Sequence, residues 1–245
     1  MTEHWLILGA SSSIARAFVR LVASQAAVIT VAGRDIADLN ATAADASLRG
    51  ASATRVMECD VTDPQSRSRC IVAAAVDGTR LNVLLAIGSM PDHEAMQADP
   101  QLLASMIEST YLGPVTLLEG LAPQFVAQRG GCVVVIGSVA GDRGRLKNYL
   151  YGSAKSGLAT YAGGLRARLF RAGASVTLVK PGFIDTSMTW GLPGLFLVAS
   201  PEDCAKAIIT AAQKGKAVIY FPAFWRLIML IIQHIPSFVM KRLAF

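Results

Sequence analysis

The chain contains little of what metal centres and disulfide scaffolds are built from. Its histidines and cysteines are few and scattered: His4, His93 and His234, and Cys59, Cys70, Cys132 and Cys204. No Cys-x-x-Cys pair occurs, so the sequence indicates neither a metal site nor a disulfide framework. Cys59 and Cys132 fall within apolar segments and are expected to be buried thiols. This use of cysteine predicts a reduced, cytoplasmic location.

Acidic residues are missing from the carboxyl-terminal part of the chain. No aspartate or glutamate follows Asp203, whereas six basic residues do, and these six equal the whole formal net charge of +6. Residues 223–245 are also rich in large apolar side chains, Trp225, Phe238 and Phe245 among them. A basic, apolar segment predicts an element that lies in a membrane interface at the inner, anionic face. The alternative is a tail that packs against the core or against a second subunit.

Long hydrophobic runs are also missing. In the tail, residues 227–232 are too few for the ~20 residues that a transmembrane helix needs, and Pro236 interrupts the apolar pattern beyond them. The apolar run at residues 4–8 is too short for a signal peptide and has no basic flank. The tail lacks the interleaved aromatic and lysine residues of a strand-binding groove, so no nucleic-acid partner is expected.

Short apolar runs alternate with helical patterns along the 245 residues. The runs predict strands at 4–8, 28–33, 53–59, 81–87, 132–137, 175–180 and 216–221. Between them, helices are predicted at 16–24, 36–48, 65–76, 102–126, 151–171 and 201–214. This alternation predicts a Rossmann-type, doubly wound parallel sheet in a three-layer α/β fold. We expect a single domain over residues 1–222 and an apolar, basic segment at 223–245, with the loops 143–150 and 185–199 above the carboxyl edge of the sheet.

A turn of small residues separates the first predicted strand from the first predicted helix. It contains Gly9, Ser11, Ser12, Ser13 and Ile14. Small side chains let the backbone approach a phosphate, and amides at a helix N-terminus attract its negative charge. Strand, small-residue turn and helix therefore predict a site for the pyrophosphate of a dinucleotide.

Ser138, Tyr151 and Lys155 carry the predicted catalytic chemistry. Ser138 follows the β-branched run at 132–137, and Tyr151 and Lys155 are four residues apart, which places them on one helix face. A positive charge within ~4–6 Å favours the phenolate, so Lys155 is expected to lower the phenol pKa from ~10. Ser138 would then hold a carbonyl oxygen while Tyr151 protonates it. The alternative is a surface tyrosine beside a solvated lysine.

Arg34 follows the second predicted strand, 28–33. A carboxylate at the end of this strand would bind a ribose hydroxyl. Gly33 occupies that place instead, and a guanidinium can pair with a 2′-phosphate. This arrangement favours NADP(H) over NAD(H). The alternative is a solvated arginine whose charge is neutralised by Asp35.

Together these motifs resemble the short-chain dehydrogenase/reductase family. The resemblance rests on Gly9-Ala-Ser-Ser-Ser-Ile-Ala, Ser138, Tyr151-Gly-Ser-Ala-Lys155 and Pro181-Gly-Phe-Ile-Asp-Thr186, which occur in the family's order. It implies an NADPH-dependent oxidoreductase that reduces a ketone to a secondary alcohol, with Tyr151 as the general acid and Lys155 bound to the nicotinamide ribose. A homo-oligomer is expected. Further cofactor contacts are implied for Asp60, Val61, Gly88, Pro181, Gly182, Ile184 and Thr186.

The chain departs from the family pattern in the first turn, in the long helix and at the end of the fourth strand, where Leu-Ala-Ile-Gly replaces Asn-Asn-Ala-Gly. Ser13 and Ala15 replace its second and third turn glycines, and Thr110 replaces an asparagine three residues before Gly113. Ser13 is expected to adopt the glycine's conformation at a cost of ~1 kcal/mol. The asparagine normally extends a proton relay from the lysine. Whether Thr110 extends the same relay stays an open question at the level of sequence.

The tail resembles that of decaprenylphosphoryl-2-ketoribose (2-keto-erythro-pentose) reductases. Its motifs are Lys214-Gly-Lys216, Pro222-Ala-Phe-Trp-Arg226, His234-Ile-Pro236 and a closing Lys-Arg-Leu. This implies a substrate that is a keto sugar linked to a membrane polyprenyl phosphate. An apolar loop would flank the lipid or form a lid with Met188, Trp190, Leu192, Leu195 and Phe196.

Three alternatives stay open for the function. The first is a soluble reductase of acyl-carrier or small alcohol and ketone substrates, whose tail serves a dimer. The second is a non-catalytic nucleotide sensor or scaffold, and the third is a structural, membrane-attached partner subunit. The intact Ser138, Tyr151 and Lys155 argue against the second, because a sensor has no need of a general acid.

Overall fold

The computed structural model describes residues 1–190 and 197–243. Within these residues, parallel strands form one seven-stranded sheet in the order β3-β2-β1-β4-β5-β6-β7. The strands are β1 Thr2–Leu8, β2 Val28–Gly33, β3 Ala53–Glu58, β4 Thr79–Leu85, β5 Cys132–Ile136, β6 Ser175–Pro181 and β7 Val218–Phe221. The chain winds outward from β1 in one direction and then, from β4, in the other, which confirms the doubly wound α/β fold.

Helices cover both faces of the sheet. They are α1 Ser13–Ala23, α2 Ile36–Leu48, α3 Pro64–Ala73, α4 His93–Ala98, α5 Pro100–Ile107, α6 Gly113–Gln128, α7 Tyr149–Phe170, α8 Pro201–Gln213, α9 Trp225–His234 and α10 Ser237–Met240. One core lies under α1, α2 and α8, and the other lies under α3, α6 and α7. The sheet is therefore the middle of three layers, as predicted.

The central strand β5 shows why the sheet is buried on both sides. All five of its residues are buried. Val134 and Ile136 belong to the core under α1, whereas Val133 and Val135 belong to the core under α6. Successive side chains of a strand point to opposite faces, so an unbroken apolar run supplies both cores at once. Ser138 follows this strand and is thereby fixed at its carboxyl end.

The long helix predicted at 102–126 is interrupted. A π-helical turn, Glu108–Leu112, joins α5 to α6. Pro114 lies in the first turn of α6 and has no N–H for the carbonyl of Thr110, which accounts for a local departure from α-helical bonding. Thr110 itself is completely buried within this turn.

Ser13 is the first residue of α1, behind the N-cap Ser12. Positive φ in this turn is confined to Gly9, at +80°, and Ser13 is not among the residues with positive φ. The prediction that Ser13 adopts a strained glycine conformation is therefore wrong, because the helix starts early enough to include it. The backbone freedom that the turn requires is supplied by Gly9.

Helix α9 packs against the 3-10 turn Val139–Asp142 that follows β5. Trp225 and Met229 are 2% and 0% exposed and form a small core with Val139. Arg143 donates hydrogen bonds of 3.3 and 3.2 Å to two backbone carbonyls at the end of α9. One face of the tail therefore packs on the domain, next to the strand that ends at Ser138.

The opposite face of α9 is exposed. Leu227, Leu230 and Ile231 are between 52% and 63% exposed, and Phe238 of α10 is 63% exposed. The tail also carries exposed basic side chains, namely Arg226, Lys241 and Arg242. No helix within residues 1–190 and 197–243 is long and apolar enough to cross a membrane. Phe245 lies outside the described residues.

Candidate functional site

A cavity of about 500 Å³ lies at the carboxyl edge of the sheet. Parallel α/β sheets bind their ligands at this edge, where the loops after the strands converge. Most of the predicted site residues line the cavity: Ser11, Ser12, Ser13, Ile14, Arg34, Gly88, Ser138, Tyr151, Lys155, Pro181, Gly182, Ile184 and Thr186. Gly9, Asp60 and Val61 do not line it.

The carboxyl end of β5 and the first turns of α7 bring Ser138, Tyr151 and Lys155 together. Tyr151 and Lys155 are 5% and 3% exposed, so the alternative of a surface pair is wrong. The Lys155 Nζ lies 5.9 Å from the centre of the Tyr151 ring and donates a 3.0 Å hydrogen bond to the carbonyl of Ile136. Ser138 Oγ accepts a 3.0 Å hydrogen bond from the backbone N–H of Ala140.

Burial controls the ionisation of this cluster. It raises the pKa of Tyr151 above its usual value, while a hydrogen bond with Ser138 acts in the lowering direction. Burial also lowers the pKa of Lys155 to about 8. The expectation of a lowered phenol pKa is therefore wrong for this structure, because burial, which raises the pKa, is the largest effect on Tyr151. Near neutral pH the site holds a protonated phenol beside an amine that titrates in the mildly basic range.

The turn after β1 has the shape of a cradle for a bound group. A Cβ atom at Gly9 would lie 2.7 Å from the carbonyl oxygen of Ala86, so the close passage of these backbones requires glycine. Ser12 Oγ accepts a 3.1 Å hydrogen bond from Ala15 N–H and fixes the start of α1. Because Ser13 and Ile14 line the cavity, an anion bound there would lie at a helix N-terminus.

Arg34 is exposed at the end of β2 and lines the same cavity. The neighbouring Asp35 carboxylate accepts a 3.1 Å hydrogen bond from Asp38 N–H and caps α2, and it forms no ion pair with Arg34 within the described residues. The charge of Arg34 does contribute, after the stronger effect of Thr62, to lowering the pKa of Asp60. A guanidinium is therefore placed where the sequence predicted a contact with a 2′-phosphate.

Asp60 and Val61 serve the local structure after β3. Asp60 Oδ1 accepts hydrogen bonds from the backbone N–H and the hydroxyl of Thr62, at 2.9 and 2.8 Å. The N-cap of the following helix, α3, is Asp63. The carbonyl oxygen of Val61 lies 2.3 Å from where a Cβ atom of Gly113 would be, so α6 can begin this close only with glycine. Adenine contact by Asp60 and Val61 stays a prediction.

Gly88 and Thr110 lie beside Lys155. A Cβ atom at Gly88 would be 3.2 Å from Lys155 Nζ, so glycine gives the amine its room. Thr110 Oγ1 accepts from the backbone N–H of Ser89 at 3.1 Å and donates to the Ser89 carbonyl at 3.2 Å. Its single donor hydrogen is used in this way, so Thr110 supports the loop after β4 and does not donate to Lys155.

Several lining residues escaped the sequence interpretation, notably Met90, Arg145, Asn148, Phe183 and Trp225. Arg145 and Asn148 lie in a loop that was predicted to overhang the sheet, which was the available signal. Trp225 comes from the tail and reaches the cavity only through the packing of α9.

The predicted apolar lid is described only in part. Met188 lines the cavity and Trp190 is 89% exposed. Leu192, Leu195 and Phe196 lie outside the described residues.

Comparison with known proteins places the chain among oxidoreductases. Residues 3–193 match the family model described as short chain dehydrogenase. An uncharacterized oxidoreductase of Mycobacterium tuberculosis is 31% identical over 239 residues, covering 97% of this chain and 96% of the relative. One of Streptomyces coelicolor is 31% identical over 244 residues, covering 98% and 95%. A short-chain dehydrogenase from Sphingobium yanoikuyae, solved in complex with NADPH, has a TM-score of 0.81 at 23% identity and covers 96% and 97%.

Proposed function

Because the chain belongs to the short-chain dehydrogenase/reductase family, we propose that it reduces a ketone to a secondary alcohol with NADPH. When bound, NADPH supplies the hydride that adds to the carbonyl carbon. One observation carries this function: Ser138, Tyr151 and Lys155 line a single cavity at the carboxyl edge of the sheet.

Tyr151 is the general acid of the proposed reaction. Burial raises its pKa, so the phenol keeps its proton near neutral pH and has it available for the carbonyl oxygen. Ser138 Oγ accepts the backbone N–H of Ala140, which leaves the serine O–H as a donor. With a ketone bound, that O–H would turn to the carbonyl oxygen and orient it toward Tyr151.

Lys155 has two roles in the proposed reaction: it stabilises the phenolate of Tyr151 and binds the cofactor. The carbonyl of Ile136 fixes its amine at 3.0 Å, beneath Gly88. With a pKa of about 8, the amine is mostly protonated at pH 7. Its positive charge would stabilise the phenolate that Tyr151 becomes after proton transfer, and its remaining hydrogens would bind the ribose hydroxyls.

The residues around the first turn fit a dinucleotide, and they favour NADP(H). Gly9 supports the backbone cradle, and the first turn of α1 borders the cavity. Arg34 supplies a cation and Gly33 supplies no carboxylate at the end of β2, an arrangement suited to a 2′-phosphate. The related Sphingobium enzyme was solved with NADPH, in agreement with this choice.

Replacing Tyr151 with phenylalanine tests the function. Loss of the general acid should lower kcat for ketone reduction about 10²- to 10⁴-fold, since this is the usual contribution of general acid catalysis. NADPH oxidation is followed spectrophotometrically with a panel of short soluble ketones and lipid-linked keto sugars. The affinity for NADPH, measured by fluorescence titration, should remain close to that of the wild type.

Tyr149 offers a matched control two residues away. It is 40% exposed, its hydroxyl accepts a 2.9 Å hydrogen bond from Gln97 Nε2, and it is not among the cavity-lining residues. Tyr149→Phe removes the same atom and should leave kcat within a few-fold of the wild type. Full activity in Tyr151→Phe would exclude the proposed role of the phenol.

For the substrate, the tail favours a ketone carried on a lipid such as a polyprenyl phosphate. Trp225 of α9 lines the cavity, while Leu227, Leu230 and Ile231 of the same helix are exposed beside basic residues. An apolar, basic surface of this kind suits contact with an anionic membrane face. A soluble reductase of acyl-carrier or small ketone substrates is the competing outcome. A homo-oligomer remains a prediction, to be measured by light scattering.

A further inference from the structure

The turn that leads into α7 places a cationic side chain in the cavity that the proposed reaction does not use. Arg145 and Asn148 both lie in this turn and line the cavity together with Tyr151. The Asn148 N–H donates a 3.1 Å hydrogen bond to the Arg145 carbonyl, and the Gly152 N–H donates one of 2.8 Å to the Asn148 carbonyl. These hydrogen bonds join the turn that holds Arg145 and Asn148 to the first turn of α7, which carries Tyr151.

Arg145 and Asn148 each keep a buried polar atom without a hydrogen-bond partner in the described part of the chain. These atoms are Arg145 Nε and Asn148 Oδ1. Native proteins seldom leave buried polar groups unpaired, so each such atom needs an explanation. The Nε–H of a guanidinium is one prong of the fork that binds a carboxylate or phosphate through two parallel hydrogen bonds.

The charged residues near Arg145 are already engaged. Burial lowers the pKa of Arg145, and the negative charge of Asp142 acts in the opposite, raising direction. However, the Asp142 carboxylate accepts hydrogen bonds from Lys180 Nζ and, at 2.8 Å, from the Tyr220 hydroxyl. The neighbouring Arg143 differs from Arg145, because its guanidinium donates to two backbone carbonyls of the tail. Arg145 keeps its proton at neutral pH and so presents a positive charge to the cavity.

We propose that Arg145 binds an anionic group of the substrate, a carboxylate or a phosphate, and that Asn148 Oδ1 accepts a hydrogen bond from a hydroxyl of the same molecule. This inference rests on the proposed ketone reduction and specifies the class of ketone. Arg145 is then a residue that determines specificity, whereas Ser138, Tyr151 and Lys155 perform the chemistry. A phosphate on a lipid carrier and a free anionic ketone share this chemistry.

Two pairs of ketones that differ in charge provide the test. One pair is 4-oxopentanoate and its methyl ester, and the other is dihydroxyacetone phosphate and dihydroxyacetone. In at least one pair, the wild-type enzyme should show a kcat/KM for the anion roughly 10- to 100-fold above that for the neutral ketone, as expected for a charge-assisted hydrogen bond. Arg145→Met should abolish this preference, because kcat/KM for the anion should fall far more than kcat/KM for the neutral ketone.

Lys147 supplies the matched control. It is exposed in the same turn and is not among the cavity-lining residues, so Lys147→Met removes an equal charge without changing the cavity. This variant should keep the preference for the anionic ketone. An equal loss in Arg145→Met and Lys147→Met, or equal effects of Arg145→Met on both members of each pair, would overturn the inference. So would a loss of NADPH affinity in Arg145→Met, which would assign Arg145 to the cofactor.

Calorimetry separates this inference from the proposed function. Dihydroxyacetone phosphate is titrated into the wild-type, Arg145→Met and Lys147→Met proteins, each saturated with NADP⁺. Binding that is at least about tenfold weaker in Arg145→Met alone supports the anion site, whether or not turnover is seen. Reduction of the neutral ketones with no anion preference and no difference in binding would uphold the proposed function while rejecting the role of Arg145. Absence of reduction of all four ketones would count against the function alone.

Discussion

Arg34 is the residue that we expect to distinguish NADPH from NADH. It lines the cavity, and the carboxylate next to it, Asp35, is engaged as the cap of α2. Arg34→Ala should weaken NADPH binding roughly 10- to 100-fold, because charge-assisted hydrogen bonds to phosphate are strong, and should change NADH binding little. Isothermal titration of both cofactors measures the difference. Arg34→Lys keeps the positive charge but not the forked guanidinium, so its NADPH affinity should lie between those of the wild type and Arg34→Ala. Equal weakening of NADPH and NADH binding in Arg34→Ala would contradict the assignment.

At the same scale, the spacing of residues predicted proximity but not ionisation. A spacing of four residues from Tyr151 to Lys155 was enough to place them on one helix face. The direction of the phenol pKa depends on how deeply α7 is covered, which a local pattern does not contain. For the same reason, Arg145 and Asn148 could be assigned to a loop above the sheet, but their unpaired atoms become visible only when the partners from the rest of the chain are in place.

At the scale of elements, the contact of α9 with the loop after β6 depends on one glycine. A Cβ atom at Gly182 would lie 1.9 Å from Nε1 of Trp225, whose side chain is 2% exposed. Gly182→Ala must therefore displace the indole from its packing with Met229 and Val139. We expect a loss of about 1–3 kcal/mol in the free energy of unfolding, as for other overpacked cores, measured by urea denaturation.

Gly163 of α7 gives the corresponding control. A Cβ atom there would meet nothing within 4 Å, so Gly163→Ala should leave stability unchanged or raise it by roughly 0.5–1 kcal/mol through the helix preference of alanine. The double variant Gly182→Ala, Trp225→Leu should recover part of the loss if the clash with the indole is its cause. Stability of Gly182→Ala equal to the wild type would show that α9 does not pack on this loop in solution.

The elements themselves were largely predictable, since the signal for each lies within its own residues. The β-branched run at 132–137 gave β5, because an apolar run without polar alternation indicates a strand buried on both faces. The prediction at 102–126 covered a helical stretch but missed the π-helical turn Glu108–Leu112 inside it, because apolar content does not show the hydrogen bond that Pro114 cannot make. For α9 the sequence pattern allows two alternatives, a membrane contact or a packed tail, since an amphipathic pattern alone does not say what covers each side.

For the whole molecule, α9 links the proposed chemistry to the proposed membrane contact. Its buried face supplies Trp225 to the cavity, and its other face presents Leu227, Leu230 and Ile231 beside exposed basic side chains. A ketone attached to a lipid would then reach the cavity from the side on which the membrane lies. If the entrance to the cavity and the bilayer lie on the same side, the lipid chain can stay in the membrane while the ketone enters the cavity. The enzyme then does not have to transfer the apolar chain into water.

Flotation with vesicles of phosphatidylcholine and phosphatidylglycerol tests this arrangement. The combined variant Leu227→Ser, Leu230→Ser and Ile231→Ser should lower the partition into vesicles at least about 10²-fold, because each apolar side chain contributes roughly 1.5–3 kcal/mol when fully buried in the interface. The wild-type protein should also bind less in high salt or to vesicles of phosphatidylcholine alone, because its basic residues then lose their attraction to the surface.

Exposed apolar residues on another surface provide a control for nonspecific hydrophobic binding to the vesicles. Leu48 and Val72 are 89% and 78% exposed on α2 and α3, so Leu48→Ser with Val72→Ser should leave flotation unchanged. Light scattering on the triple α9 variant detects the competing role of the tail in a dimer. Equal flotation of the wild-type and triple-variant proteins would contradict membrane contact through α9. If neither protein floats and only the variant falls from dimer to monomer, α9 is a subunit contact. The lipid-linked substrate would then lose its structural support.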